Sequence, residues 1–142
     1  MNLNIKNQLF IVGGATSGFG KAIAMALIRE GANIIAIARN NEKLNELKQT
    51  ATAQVEIIAG DITQTDIINK ITETIGNRQL HGILVNAGGP PAKTFLETTL
   101  EDWDTAYQNI LRWKVNITQT LIPLLLKNNY GRIVYIESSS VK

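Results

Sequence analysis

Five short runs of β-branched and apolar residues alternate with longer stretches of helical spacing, and this alternation restricts the fold more than any other feature of the chain. The runs are Leu9-Phe-Ile-Val12, Asn33-Ile-Ile-Ala-Ile-Ala38, Val55-Glu-Ile-Ile-Ala59, Gly82-Ile-Leu-Val85 and Gly131-Arg-Ile-Val-Tyr-Ile136. Between them lie segments too long for hairpins and long enough for helical crossovers, which is what parallel strands require. The first predicted helix covers Gly18 to Glu30, with Ala22, Ile23, Ala26 and Leu27 on one face and Gly31 as its stop. Asn40 caps a second helix carrying Leu44 and Leu47, and Ile67, Ile68, Ile71 and Ile75 mark a third over Thr65 to Ile75. A long fourth helix is predicted from Leu100 to Lys127, opened by a Thr99/Asp102 capping box. Trp103, Tyr107, Ile110, Ile117, Leu121 and Leu125 fall on one stripe of it, and Pro123 should kink or shorten its end. The expected architecture is α/β: a doubly wound parallel sheet of about five strands, with helices on both faces, forming one domain over residues 1–142.

Composition narrows the function. A net charge of +2 from scattered residues does not make a nucleic-acid surface. No cysteine occurs, so there is neither a disulfide framework nor a thiolate metal site. His81, the sole histidine, is expected in the loop before the fourth strand and cannot furnish a histidine metal cluster. Met1 to Phe10 lacks the apolar core of a signal peptide, and no apolar run approaches a membrane span. The expectation is a cytoplasmic domain with no metal, membrane or nucleic-acid partner.

Directly after the first strand stands Gly13-Gly14-Ala15-Thr16-Ser17-Gly18-Phe19-Gly20. Gly14 permits a tight reversal, Gly18 lets backbone N–H groups approach a pyrophosphate, and Gly20 lets the helix pack closely on the strand. The N-terminus of the first helix attracts anionic oxygen. A glycine-rich turn without a ligand is the plainer alternative, but strand before and helix after favour a Rossmann-type dinucleotide site.

The spacing is Gly-x-x-x-Gly-x-Gly, and here the sequence resembles the short-chain dehydrogenase/reductase family, with Gly13 where that family usually has Thr and Phe19 where it has Ile or Val. Gly60-Asp61-Ile62 resembles the family's adenine-contacting Asp-Val pair, and Asn86-Ala87-Gly88 its Asn-Ala-Gly motif. Trp103, Pro123 and Gly131-Arg132-Ile133-Val134 come in the family's order. The Gly88-Gly-Pro-Pro91 run is similar to a divergent branch related to 3-oxoacyl carrier-protein reductases. The resemblance implies cofactor contact by Gly14, Thr16, Ser17, Gly18, Phe19, Gly20, Arg39, Asp61, Ile62, Asn86, Ala87 and Gly88.

The end of the second strand discriminates between the two nicotinamide cofactors. A carboxylate there suits the ribose hydroxyls of NAD. This chain has Ala38 followed by Arg39, and a guanidinium suits a 2′-phosphate. NADP, as NADPH, is therefore expected over NADH, with a small-molecule carbonyl or alcohol as substrate.

The resemblance also implies a catalytic set: a Ser for the substrate oxygen, a Tyr acid/base, a Lys four residues later that lowers its pKa, and an Asn on the long helix. The Ser falls on Ser138, with Ser139 and Ser140 beside it. The Asn position holds Ile110. Asn109 is adjacent, but on an α-helix it points about 100° away. The Tyr-x-x-x-Lys pair is expected about a dozen residues past Ser138, whereas the sequence runs to Lys142. Tyr107, Tyr130 and Tyr135 have no Lys four residues on. The chain thus reads as truncated relative to the family. A binding or sensing module, or a decayed enzyme, stands as the alternative, and Ala38 speaks against an S-adenosylmethionine methyltransferase. An unprotected fifth strand and an exposed apolar face lead to the expectation of a homo-oligomer.

Overall fold

The computed structural model describes residues 3–138. Five parallel strands, β1 (Leu9–Gly13), β2 (Asn33–Ala38), β3 (Val55–Ala59), β4 (Gly82–Val85) and β5 (Arg132–Tyr135), form one sheet in the order β3-β2-β1-β4-β5. Helices α1 (Gly18–Arg29), α2 (Asn41–Thr50) and α3 (Thr65–Ile75) follow the first three strands. The fourth crossover contains a 3₁₀ turn (Phe95–Glu97), α4 (Leu100–Tyr107), a π turn (Gln108–Arg112) and α5 (Trp113–Leu126). The doubly wound α/β sheet expected from the sequence is the fold observed.

Strand periodicity sorts the core into two layers. Ile35 and Ile37 of β2 point to one face, with Ile11, Ile58, α3 (Ile68, Ile71, Ile75) and α5 (Trp113, Ile117, Leu121, Leu125). Ile34, Ala36 and Ala38 point to the other, with Val12, α1 (Ala24) and α2 (Leu44, Leu47). Since β2 is buried on both sides, its sequence is a continuous apolar run rather than an alternating one. The predicted caps form as well: Asn40 Oδ1 accepts the Lys43 N–H at 3.0 Å, and Thr99 and Asp102 satisfy one another's backbone N–H groups.

The predicted continuous fourth helix is corrected by the structure. The five-residue π turn inserts between α4 and α5. A π turn holds about one residue more than an α turn, so it rotates α5 relative to α4 by about 100°. Ile117, Leu121 and Leu125 remain core residues. Trp103, Tyr107 and Ile110 are swung off that stripe and lie exposed. Trp113 fills the space instead, and its Nε1 donates to the Asn109 carbonyl at 2.8 Å. Pro123 sits in the last turn of α5, which ends three residues later.

His81 precedes β4, as expected, and joins three strands. Its Nδ1 accepts the Leu9 N–H at 3.1 Å, its backbone N–H donates to the Leu9 carbonyl at 2.9 Å, and its carbonyl accepts the Arg132 N–H at 3.0 Å. An imidazolium could not accept from Leu9. Burial pushes the His81 pKa down from 6.5, opposed by a hydrogen bond with the Gln79 backbone. As pH falls, the unfolded imidazole therefore takes up its proton first. The contribution of His81 to stability is complete above about pH 6.5 and declines as pH falls through the lower folded value. The urea midpoint should drop between pH 7.5 and 5.5, and His81→Asn, which keeps an acceptor without a titration in this range, should flatten that slope. An unchanged slope in the variant would contradict the assignment.

Candidate functional site

A cleft of about 450 Å³ opens over the C-terminal ends of the strands. It lies where β1 is flanked by β2 on one side and β4 on the other, the point at which the direction of winding reverses. Its wall contains Gly14, Thr16 and Ser17 from the turn after β1; Ile37, Ala38, Arg39, Asn40 and Lys43 around the end of β2; Gly60, Asp61, Ile62 and Thr63 after β3; and Ala87, Gly88 and Gly89 after β4. Asn109 completes it from the π turn.

The glycine-rich turn is shaped by close approach. A Cβ on Gly20 would come within 2.2 Å of the Gly14 carbonyl oxygen, so α1 can start this near β1 only with glycine there. Gly14 has φ +63°, and a Cβ on it would meet Asn86 Nδ2 at 2.7 Å. The Asn86 amide donates to the Gly13 carbonyl at 3.2 Å, bracing the turn from the end of β4. The N-terminus of α1 beside the cleft has Ser17 at its cap position, but no side chain caps it and no acidic residue stands in its first turn. Its first N–H groups and the positive end of its dipole thus remain suited to an anion.

Asp61 is held in place by its own loop. Its Oδ1 accepts the Thr63 N–H at 3.0 Å and the Thr63 hydroxyl at 2.9 Å. The Thr63 carbonyl in turn accepts from the Gln108 side chain at 3.2 Å, which ties the π turn to the cleft floor. Past Gly89 the chain is exposed and anchored by Lys93, whose Nζ contacts both Asp102 oxygens at 2.7 and 2.9 Å. The Lys93 hydrogen bond, with the Thr99 backbone N–H, brings the Asp102 pKa to about 2.

Of the residues singled out from the sequence, Gly14, Thr16, Ser17, Arg39, Asp61, Ile62, Ala87 and Gly88 come together on the cleft wall. Gly18, Phe19, Gly20 and Asn86 do not line it; Phe19 is exposed, and Gly20 and Asn86 serve the packing beneath. Ser138 is exposed beyond β5 and outside the wall. Ser139, Ser140 and Lys142 lie outside the described residues. Sequence reasoning set Asn109 aside on α-helical geometry, yet Asn109 lines the cleft while Ile110 is exposed. It also missed Lys43 and Thr63. A cation one turn beyond Arg39 and a threonine two residues after Asp61 were the available signals.

A family model described as short chain dehydrogenase matches residues 8–142. The chain belongs to the short-chain dehydrogenase family. An uncharacterized oxidoreductase of Staphylococcus epidermidis is 30% identical over 138 residues, covering 96% of this chain and 60% of its own. The 3-oxoacyl-[acyl-carrier-protein] reductase FabG of Thermotoga maritima is 27% identical over 141 residues, covering 96% of this chain and 57% of its own. Among solved structures, a short-chain dehydrogenase from Streptomyces avermitilis matches with TM-score 0.85 at 28% identity, over 93% of this chain and 49% of that one. L-sorbose reductase from Gluconobacter frateurii, complexed with NADPH and L-sorbose, matches with TM-score 0.86 at 25% identity, over 95% and 54%. This short-chain dehydrogenase chain thus spans about half to three fifths of the length of such relatives.

The packing of the turn gives a direct test. Gly20→Ala should cost roughly 1–3 kcal/mol, because backbone rather than a flexible side chain opposes the added methyl. Chemical denaturation of the variant measures it, and a cost below the error of the method would contradict the close approach.

Proposed function

We propose that this chain binds NADP(H) for hydride transfer between the dinucleotide and a small carbonyl or alcohol substrate. The observation that carries this reading is a single cleft uniting an uncapped helix N-terminus, an arginine at the end of β2 and an Asp-Ile pair at the end of β3. The dinucleotide fits it on this chain's own terms. A Cβ added to Gly88 or Gly89 on the wall would meet nothing within 4 Å, so the space these glycines leave is not required by the packing.

In this reading the Gly14–Gly20 turn and the start of α1 hold the diphosphate, and Asp61 and Ile62 border the adenine. Arg39 takes the 2′-phosphate, and the Asn86-Ala87-Gly88 segment borders the nicotinamide half. The cofactor supplies the hydride chemistry when bound. The protein's part is to orient it, and Ser138 would donate a hydrogen bond to the substrate oxygen. That NADPH and L-sorbose are the ligands of one structural relative supports the cofactor class.

Arg39→Asp tests the cofactor assignment. Losing a charge-assisted phosphate contact should weaken NADPH binding about 10- to 100-fold and improve NADH binding. An unchanged preference would remove Arg39 from the site.

A binding or sensing module without turnover is the second reading, favoured by the position of Ser138 outside the cleft. The intact mass of the polypeptide from its source separates the two. A mass near twice 15.6 kDa favours a reductase of which this is the front part, and a mass of 15.6 kDa favours the binding module.

We also propose self-association. Phe95, Leu96, Leu100, Trp103 and Leu126 are all more than half exposed, and β5 forms a sheet edge with Val134 exposed on it. Light scattering should show a species larger than 15.6 kDa, and a monodisperse monomer overturns this.

A further inference from the structure

The loop after β3 holds its own shape but not, by itself, its place at the cleft. Asp61 Oδ1 accepts the Thr63 N–H and the Thr63 hydroxyl, and the Gln64 N–H donates to the Asp61 carbonyl at 3.0 Å. These contacts join near neighbours in sequence, so they fix the curl of the loop without fixing where it stands. From below, the buried side chain of Ile62 pins the loop to the core. Thr63 is itself buried, so its carbonyl needs a partner. Among the described residues that partner is Gln108 Nε2, at 3.2 Å and 45 residues further along the chain.

The π turn holds the Gln108 amide in the orientation this contact needs. Gln108 is the first residue of the turn and Arg112 the last, and the Arg112 guanidinium donates to Gln108 Oε1 at 3.2 Å. With its oxygen taken by a donor, the amide presents its nitrogen to the Thr63 carbonyl. The turn thus braces its own first side chain and aims it at the loop after β3. A carboxylate of the same shape could accept from Arg112 but could not donate to Thr63, and a thioether could not donate either. Gln108 is not on the cleft wall, whereas Asp61, Ile62 and Thr63 are, so any effect of Gln108 on a ligand passes through that loop.

We propose that Gln108 is a positioning residue for nucleotide binding: by holding the Thr63 carbonyl, it sets Asp61 and Ile62 where the adenine half of the ligand meets them. The proposal rests on the dinucleotide reading above. Its physical content is preorganisation, since a loop already in place spares the ligand the cost of ordering it.

Calorimetric titration with 5′-ADP, on the full chain and on Gln108→Met and Gln108→Glu, tests it. The wild type should bind. Gln108→Met should bind about fivefold more weakly, and Gln108→Glu about tenfold, because a carboxylate sets an acceptor against the Thr63 carbonyl. Amide exchange followed by NMR supplies the readout that a general loss of stability would not give. The Thr63 N–H should exchange faster in both variants, while the N–H groups of Ile35 and Ile37 in β2 keep their wild-type rates. Should either variant fail to fold, Arg112→Met keeps Gln108 but removes the group that orients it, and a loss of about twofold to threefold is expected. Equal 5′-ADP binding by wild type and variants overturns the positioning role and leaves the dinucleotide reading standing. Weaker binding accompanied by faster exchange at Ile35 and Ile37 makes Gln108 a general stabiliser of the fold and also overturns the proposal. A wild type that binds no 5′-ADP overturns both.

Discussion

Strand β1 lies between β2 and β4 in a parallel sheet, and the geometry of the cleft depends on how that strand is held. At its N-terminal end His81 makes reciprocal contacts with Leu9, linking β1 to β4 and, through its carbonyl, to β5. At its C-terminal end the Asn86 amide reaches across from β4 to the Gly13 carbonyl. Between these two braces the register is fixed by parallel pairing, Phe10 with Gly82 through Val12 with Leu84. The glycine turn therefore leaves the sheet from a rigid base, and the direction of α1 is set before any ligand arrives. Asn86 thus bears on the cleft through the turn that it supports rather than from the wall itself.

The π turn is the second determinant. A regular helix from Leu100 to Leu126 would have kept one apolar stripe on the sheet and turned Asn109 away from the cleft. One extra residue per turn instead exposes Ile110, brings Trp113 into the core and sets Asn109 on the wall. The indole N–H of Trp113 satisfies the Asn109 carbonyl within the turn, and the Gln108 side chain, donating to the Thr63 carbonyl, anchors the turn to the loop after β3. Such turns recur at functional sites because they re-aim side chains without ending a helix.

Strands β2, β3 and β4 and helix α3 were legible residue for residue, since the strands are short apolar runs bounded by turn signals and α3 carries a clear helical period. Gly31, Asn40 and the Thr99/Asp102 box marked helix ends correctly for the same reason, as caps are local hydrogen bonds between residues three or four apart. The π turn was not legible. The spacing of Trp103, Tyr107, Ile110 and Ile117 fits an unbroken α-helix, and only tertiary packing decides that Trp113 displaces the earlier stripe. On the cleft wall, Gly14, Thr16, Ser17, Arg39 and the Asp61-Ile62 pair were legible because they come directly after strands, and in a parallel sheet all strand C-termini meet at one edge. Lys43 and Asn109 escaped because they reach that edge from helices, and their faces depend on where the helix begins or is interrupted.

The glycines around the cleft fall into two kinds. At Gly13, Gly14 and Gly20 an added Cβ would strike the protein itself, at 2.5 Å, 2.7 Å and 2.2 Å, so these residues are explained by the fold alone. At Gly18, Gly88 and Gly89 it would meet nothing within 4 Å. Glycine costs backbone entropy wherever it stands, and packing gives Gly88 and Gly89 no return for that cost. Open space beside Ala87 and the Arg39 guanidinium beside Ala38 stand on opposite sides of the uncapped start of α1. A long ligand with its anionic part at that helix start would reach both, which is the general shape of the dinucleotides that the short-chain dehydrogenase family binds.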